Sequence, residues 1–453
     1  MAKKKETEKK LTEREKKKLE LDYKSSLDIL LTFPIMGNED IIENISKLLN
    51  GIEESCPEIL QECVNKVKSA VQKEAQDKWY DSGCWGLEAM ATGVGKSKVA
   101  INICEDGYKK FSSYLKVLLI VPTEKLRDEN WRDEFAKWKL ERIYDQCLTR
   151  VCYASLDNIE NEEFDLVIGD EFHNITEDKS VFFKRNKIKR LICLTATPPT
   201  DKIKVQILKS LAIKTDYHVP LDIATKLKLV APYDVTVVEC RLDDVIKNVP
   251  SGTKTNPFMT TEKKAYDYKT NLVNTTMYSR NIPAASRGKI HKFRVLDRMR
   301  FIKDLESRTK NAKFILENFI KPEERTLIFC GSIAQANELC QYSFHSKTND
   351  KHFEQFKAKI INRMSCVSAV NEGHNIPDVE TIFVVCIESG EKTITQQIGR
   401  GIRFAIGHKC RVIIIIITDT VDEQWFKKAT INLDQSKFRY VRMANLLNGV
   451  DTI

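Results

Sequence analysis

The stretch Met90-Ala91-Thr92-Gly93-Val94-Gly95-Lys96-Ser97 stands directly before a helix-forming run, residues 98–104. Gly93 and Gly95 let backbone amides wrap a phosphate at a helix N-terminus, Lys96 can reach β and γ phosphates, and Ser97 can ligate Mg2+. The strict form of this loop begins with glycine, where this chain has Met90. A glycine turn before a helix would look much the same, so a second element is needed. It is Phe164-Asp165-Leu166-Val167-Ile168-Gly169-Asp170-Glu171-Phe172-His173, an apolar strand ending in two adjacent carboxylates. There Asp170 can hold the Mg2+ shell and Glu171 can orient or deprotonate an attacking water. The carboxyl ends of strands are where doubly wound sheets place their ligands.

Outward from these two elements, short continuous apolar runs recur at residues 117–121, 166–168, 191–194, 327–330, 382–387 and 412–417. Runs of that length, buried on both faces, are what strands of a parallel sheet require. Amphipathic helical stretches, such as 126–138 and 333–340, lie between them. The alternation predicts an α/β architecture of doubly wound parallel sheets. The runs form two groups separated by residues 230–311, a polar connection with a single apparent strand at 233–240. Helical spacing of Ile41, Ile42, Ile45, Leu48 and Leu49, then Ile59, Leu60, Val64 and Val67, predicts a small helical unit before the first sheet. The expected organisation is therefore a charged tail and helical unit over 1–68 and a first α/β domain over 69–229. A connecting or inserted segment over 230–311 then leads into a second α/β domain over 312–453.

Composition bounds the rest. A chain of 453 residues with 42% hydrophobic and 30% charged content can bury a sizeable core, which excludes a disulfide miniprotein and a mainly disordered chain. Net charge is 73 − 64 = +9, of which residues 2–24 hold ten Lys or Arg against six Asp or Glu, about +4. That run reads as a solvated helix or a disordered tail. A mild positive surplus permits nucleic-acid binding without requiring it. Thirteen scattered cysteines, with no Cys-x-x-Cys pair and no zinc-ligand spacing, read as reduced buried thiols. The longest apolar run, 412–417, is too short to span a bilayer, and an unanchored, cytoplasmic protein is expected.

The loop and the Asp170-Glu171-Phe172-His173 element together resemble superfamily 2 helicases and translocases of the Asp-Glu-x-His class. Further motifs fit the resemblance. Thr195-Ala196-Thr197-Pro198, after the strand 191–194, is similar to motif III, which implies that Thr195, Thr197 and His173 couple hydrolysis to domain movement. Val121-Pro122-Thr123, followed by Leu126 and Trp131, looks like motif Ia, whose Pro122 and Thr123 would lie along nucleic-acid phosphates. Residues 327–332 resemble motif IV, ending at Ser332, and 367–377 resemble motif V, with Ser368 and Gly373. Gln396-Gln397-Ile398-Gly399-Arg400-Gly401-Ile402-Arg403 matches motif VI. Charge developing on the γ phosphate is stabilised by an arginine delivered from the opposite domain, so Gln396, Arg400 and Arg403 join Lys96, Asp170 and Glu171 as catalytic candidates.

The resemblance implies two tandem RecA-like domains using ATP and Mg2+, with Thr92, Gly93, Val94, Gly95, Lys96, Ser97 and Lys98 around the nucleotide. Gln72 is placed to read adenine, with Gln76 as its rival. Departures from the family pattern are Asn375, where motif V often has aspartate, and Gln397, where motif VI often has arginine. The wording of the motifs is closer to restriction-subunit and DNA-repair translocases than to Asp-Glu-Ala-Asp RNA helicases, so DNA is the expected track. An RNA helicase and a partner-dependent ATPase subunit remain as alternatives. In the connecting segment Arg294, Arg298 and Arg300 read either as part of a substrate-specific insertion or as solvated charge.

Overall fold

The computed structural model describes residues 13–253, 255–367, 378–387, 394, 397–399, 401, 407–431 and 433–453. The chain divides into two compact units with the main boundary between Pro232 and Tyr233.

The first unit opens with three helices, α1 (Glu13–Leu30), α2 (Glu39–Ser55) and α3 (Leu60–Asp81). The Asn38 side chain caps α2 by accepting from the Ile41 N–H at 3.2 Å. Ile42, Ile45, Leu49 and Ile52 then fall on one buried stripe. Helix α3 continues across residue 68, the expected edge of the helical unit, because no Gly or Pro interrupts residues 60–81. It docks on the sheet through Trp79, whose indole donates to the Leu191 carbonyl at 2.9 Å. The Glu74 carboxylate accepts from the backbone of Ile35 and Met36 and from the Tyr217 hydroxyl, tying the leading helices to the sheet.

The strands of this unit are β1 (Trp85–Met90), β2 (Val117–Val121), β3 (Leu148–Cys152), β4 (Glu163–Phe164), β5 (Leu166–Gly169), β6 (Lys187–Ile188), β7 (Leu191–Thr195) and β8 (Thr215–Val219). Six of them form one sheet in the order β3-β2-β5-β7-β1-β8, every pairing parallel. Strands β2, β5 and β7 are buried along their whole length, as two-sided coverage demands. Because all six run the same way, Met90, Val121, Gly169 and Thr195 end at one edge of the sheet, and the loops that follow them gather there.

The second unit contains β9 (Tyr233–Cys240), β10 (Lys247–Thr253), β11 (Asn256–Thr261), β12 (Thr326–Phe329), β13 (Ser343–Phe344), β14 (Arg363–Cys366), β15 (Thr381–Val384), β16 (Cys410–Ile417) and β17 (Phe438–Arg442). Its sheet is seven-stranded and parallel, ordered β13-β14-β12-β15-β16-β9-β17. The chain thus carries two RecA-like doubly wound domains and a helical N-terminal extension, the fold expected from the sequence. One part of the connection differs from its reading. β9 is integral to the second sheet, between β16 and β17, because its apolar residues pair with the isoleucine run of β16. Between β9 and the helix Glu306–Asn318, the segment 241–305 holds the β10–β11 ribbon and two helices, Glu262–Thr276 and Ala284–Lys303.

Glu88, on the inner strand β1, is fully buried, and neither carboxylate oxygen has a hydrogen-bond partner among the described residues. Burial, reinforced by the Asp216 carboxylate, pushes its pKa up to about 9. A carboxyl raised in the folded state favours folding fully below its ordinary range, and that contribution is lost as pH rises through the folded value. Between about pH 5 and pH 8.5, Glu88→Gln should therefore lose about 4 kcal/mol less stability than the parent. Denaturant unfolding at the two pH values reads this directly, and parallel losses in the two proteins would refute it.

Candidate functional site

The loop between β1 and helix α4 (Lys96–Phe111) takes its shape from its glycines. Gly93 and Gly95 have φ of +96° and +104°, a region that side chains strain to enter. At Gly95 an added Cβ would also lie 2.2 Å from Gln72 Nε2. Gly95 is the N-cap of α4 and no side chain caps that end, which leaves the leading N–H groups and the positive end of the helix dipole suited to an anion. Two side chains of α3 hold the loop from behind. Gln72 donates to the Val94 carbonyl at 2.9 Å and Lys68 to the Gly93 carbonyl at 2.7 Å. Of the two glutamines left open by the sequence, Gln72 is thus on the loop, while Gln76 donates to Asp106. Thr92 precedes the turn and Ser97 lies in the first turn of α4. The Lys98 ammonium sits over the Trp138 ring, 3.6 Å from its centroid.

Asp170 follows β5 and is buried. Its oxygens accept from the Trp131 indole at 2.8 Å and from the Glu171 N–H at 2.9 Å, and its own carbonyl accepts from the Tyr153 hydroxyl at 2.9 Å. Burial first, then the neighbouring Glu171 carboxylate, push the Asp170 carboxyl up to about 7. The Trp131 donor and the Lys96 ammonium oppose that shift, so the Lys96 charge is felt at the Asp170 carboxyl.

Glu171 adopts a left-handed conformation, φ 45°. Its carboxylate lies 3.4 Å from His173 Nδ1, and that nitrogen lies 3.4 Å from the Thr195 hydroxyl. The Thr195 hydroxyl donates in turn to the Thr197 carbonyl at 2.9 Å. The acid after β5 and the turn after β7 are therefore linked by one polar chain. After β2, Pro122 leads to Thr123, whose hydroxyl accepts from the Leu126 N–H at 3.4 Å. In the second unit Ser332 caps the helix Ile333–Leu339 by accepting from Gln335. Ser368, Gly373, Gln396, Arg400 and Arg403 lie outside the described residues.

The donor set fits Mg2+. A buried carboxylate held by two donors, a serine hydroxyl at the head of α4 and an anion-facing loop are hard oxygen chemistry beside a phosphate cradle, and Mg2+ is commonly held by one or two protein oxygens plus phosphates and waters. The role of Trp131 toward Asp170 was not legible in the sequence, since 39 residues separate them. Replacing it with phenylalanine keeps the ring and deletes the donor, which raises the Asp170 carboxyl further. If the site takes a nucleotide with Mg2+, Trp131→Phe should weaken that binding about tenfold or more. Equal Mg2+ affinity in both proteins would rule this out.

Two tandem RecA-like domains, with a glycine loop and an acid pair at the same sheet edge of the first, fit the architecture of superfamily 2 helicases. The chain belongs to that superfamily: residues 58–200 match the family of the type III restriction enzyme res subunit, and residues 310–405 match the helicase conserved C-terminal domain. No curated protein matches the chain in sequence. Among solved structures it is similar to the ATP-dependent type ISP restriction-modification enzyme LlaBIII bound to DNA. That likeness has 15% identity and a TM-score of 0.52, over 82% of this chain and 31% of that one. It is also similar to Saccharomyces cerevisiae Dbp5 L327V bound to RNA and ADP BeF3, with 12% identity and a TM-score of 0.51, over 87% and 95% of the two chains. The helicase domain of Pyrococcus furiosus Hef aligns with 15% identity and a TM-score of 0.45, over 80% and 96%.

Proposed function

We propose that this protein is an ATP-driven helicase or translocase of the Asp-Glu-x-His class, hydrolysing ATP with Mg2+ and acting on DNA. The observation that carries the reading is the placement, at the same edge of one parallel sheet, of the acid pair Asp170-Glu171 after β5 and of a glycine loop after β1 that leads, with Gly93 and Gly95 at positive φ, into a helix N-terminus with no side-chain cap. In this reading the loop amides, Lys96 and Ser97 hold the triphosphate, and Asp170 and Ser97 hold the Mg2+, which supplies charge stabilisation for the γ phosphate. Glu171 orients the attacking water and accepts its proton at a carboxylate oxygen. Through His173, the same carboxylate is linked to Thr195 and Thr197, so a change at the γ phosphate has a route to the turn after β7. In the same reading Arg400 and Arg403 are the arginine-finger candidates and Gln396 a further catalytic candidate, all three outside the described residues.

DNA is favoured by the match of residues 58–200 to a restriction-enzyme subunit family. All thirteen cysteines are free thiols and all but Cys84 are buried, which fits a reducing, cytoplasmic setting. No helix among the described residues is long and apolar enough to cross a membrane.

The test is steady-state ATP hydrolysis without polymer and with single-stranded DNA, duplex DNA or duplex RNA, at two salt concentrations. DNA stimulation that falls with salt is the expected result. Stronger stimulation by RNA would make the protein an RNA helicase, and rates indifferent to every polymer would make it a partner-dependent ATPase.

A further inference from the structure

The second helix of the segment 241–305, Ala284–Lys303, is 20 residues long, about 30 Å, and its two faces use their cations differently. The face turned to the first helix of that segment, Glu262–Thr276, is bonded. Arg294 donates to the Leu272 carbonyl at 3.1 Å and the Thr276 hydroxyl at 2.8 Å, and Asp297 pairs with Lys269 at 2.6 Å. Arg298 reaches the Thr270 hydroxyl at 3.5 Å. Two of the three arginines singled out in the sequence are thus structural.

The opposite face is different. Lys289, Lys292, Phe293, Leu296, Arg300 and Lys303 fall within one stripe about 100° wide by helical spacing. Phe293 is 65% and Leu296 40% exposed, and Lys289, Lys292 and Arg300 are exposed as well. None of the four cations forms an ion pair among the described residues. The only acid in residues 277–303 is Asp297, already paired, so that stretch holds eight Lys or Arg against one acid, 8 − 1 = +7, beside a whole-chain charge of +9.

We infer that this stripe is a nucleic-acid-binding surface: the four cations track the phosphates of one strand, and Phe293 lies against an unpaired base. The inference rests on the proposed nucleic-acid activity and deepens it by naming where a strand is gripped outside the helicase motifs. From Lys289 to Lys303 the helix spans about 21 Å, long enough for its cations to meet several successive phosphates of one strand. Charge complementarity selects this occupant over a protein. A protein interface needs an apolar centre and is poor in lysine, whereas here two apolar side chains stand among four cations. Base stacking on an exposed aromatic flanked by Lys and Arg is the usual physics of single-strand binding.

The experiment measures binding of labelled single-stranded, forked and duplex DNA, single-stranded RNA and polyglutamate by fluorescence anisotropy across a salt series. It uses the full chain, with polymer-independent ATP hydrolysis and thermal unfolding recorded alongside. The Lys289→Ala/Lys292→Ala/Arg300→Ala variant should lose at least about tenfold in affinity for nucleic acid and about 2–3 from the log K against log salt slope, with basal hydrolysis unchanged. Exchanging the same three residues as Lys289→Arg/Lys292→Arg/Arg300→Lys should restore both. Phe293→Ala should weaken single-stranded and forked substrates about tenfold and leave duplex binding alone. Parental affinity and slope in the triple alanine variant would overturn the inference while leaving the motor reading intact. A stripe-dependent gain for polyglutamate with no effect on nucleic acid would also overturn it, in favour of a protein dock. A parent chain that binds no polymer would overturn both this inference and the proposed function.

Discussion

Lys96→Ala and Glu171→Gln are each expected to reduce ATP hydrolysis at least about a hundredfold, through different losses. Lys96 is the first residue of α4, at the positive end of the helix, and its ammonium acts on the buried Asp170 carboxyl. Removing it takes away a cation for the phosphates and one of the two influences besides the backbone that hold the Asp170 carboxyl down. Nucleotide binding and turnover should therefore fall together. Glu171→Gln keeps the length of the side chain and the backbone N–H that bonds Asp170 Oδ1, but its amide oxygen cannot accept a proton from water. Nucleotide affinity should stay within about threefold of the parent while turnover collapses, the signature of a group needed only in the transition state. Fluorescent-nucleotide binding and steady-state hydrolysis on the same preparations separate the two. Parental turnover in either variant would remove the assignment of the loop and acid pair as an ATPase site.

The parts of this site that could be read from the sequence are those whose chemistry is contiguous. A phosphate loop needs its glycines, lysine and hydroxyl within one turn, and the acid pair needs only to end an apolar strand, so eight or ten residues carry each meaning. Its supporting contacts are not contiguous. Trp131 reaches Asp170 across 39 residues, and Gln72 reaches Val94 across 22, and no local pattern distinguishes that tryptophan or glutamine from any other on an amphipathic helix. Gln72 was placed only through resemblance, with Gln76 as its rival; in the structure a loop carbonyl lies opposite the first and Asp106 opposite the second.

The fold shows the same division. Both sheets follow from apolar runs, yet β9 looks like a lone strand in a polar connection because its partner β16 enters the chain about 170 residues later. Pairing partners of parallel strands are distant by construction, since each needs a crossover. Arg294 and Arg298 were indistinguishable from Arg300 in the sequence. Only the packing of the helices Glu262–Thr276 and Ala284–Lys303 shows which cations are used internally.

The second large effect concerns stability. Arg308, on the helix Glu306–Asn318, and Asp422, on the helix Val421–Thr430, form an ion pair with both side chains at 0% exposure. Asp422 also accepts from the Ile417 N–H at 2.8 Å, so one carboxylate joins the end of β16 to two helices. Truncating either partner leaves a charge buried without its counter-ion, and Asp422→Ala should cost about 3–5 kcal/mol, a fall in melting temperature of about 6–20 °C. The pair itself contributes much less than that loss, because desolvating both ions offsets most of their attraction. The double replacement Arg308→Met/Asp422→Asn separates the two quantities. Its amide oxygen still accepts the Ile417 N–H while both charges disappear, so it should regain at least half of what Asp422→Ala loses. Nucleotide binding at the phosphate loop, which is built entirely within the first unit, should be retained by every variant that remains folded. A loss below about 1 kcal/mol in Asp422→Ala would show that water reaches the pair and that its burial is not maintained in solution.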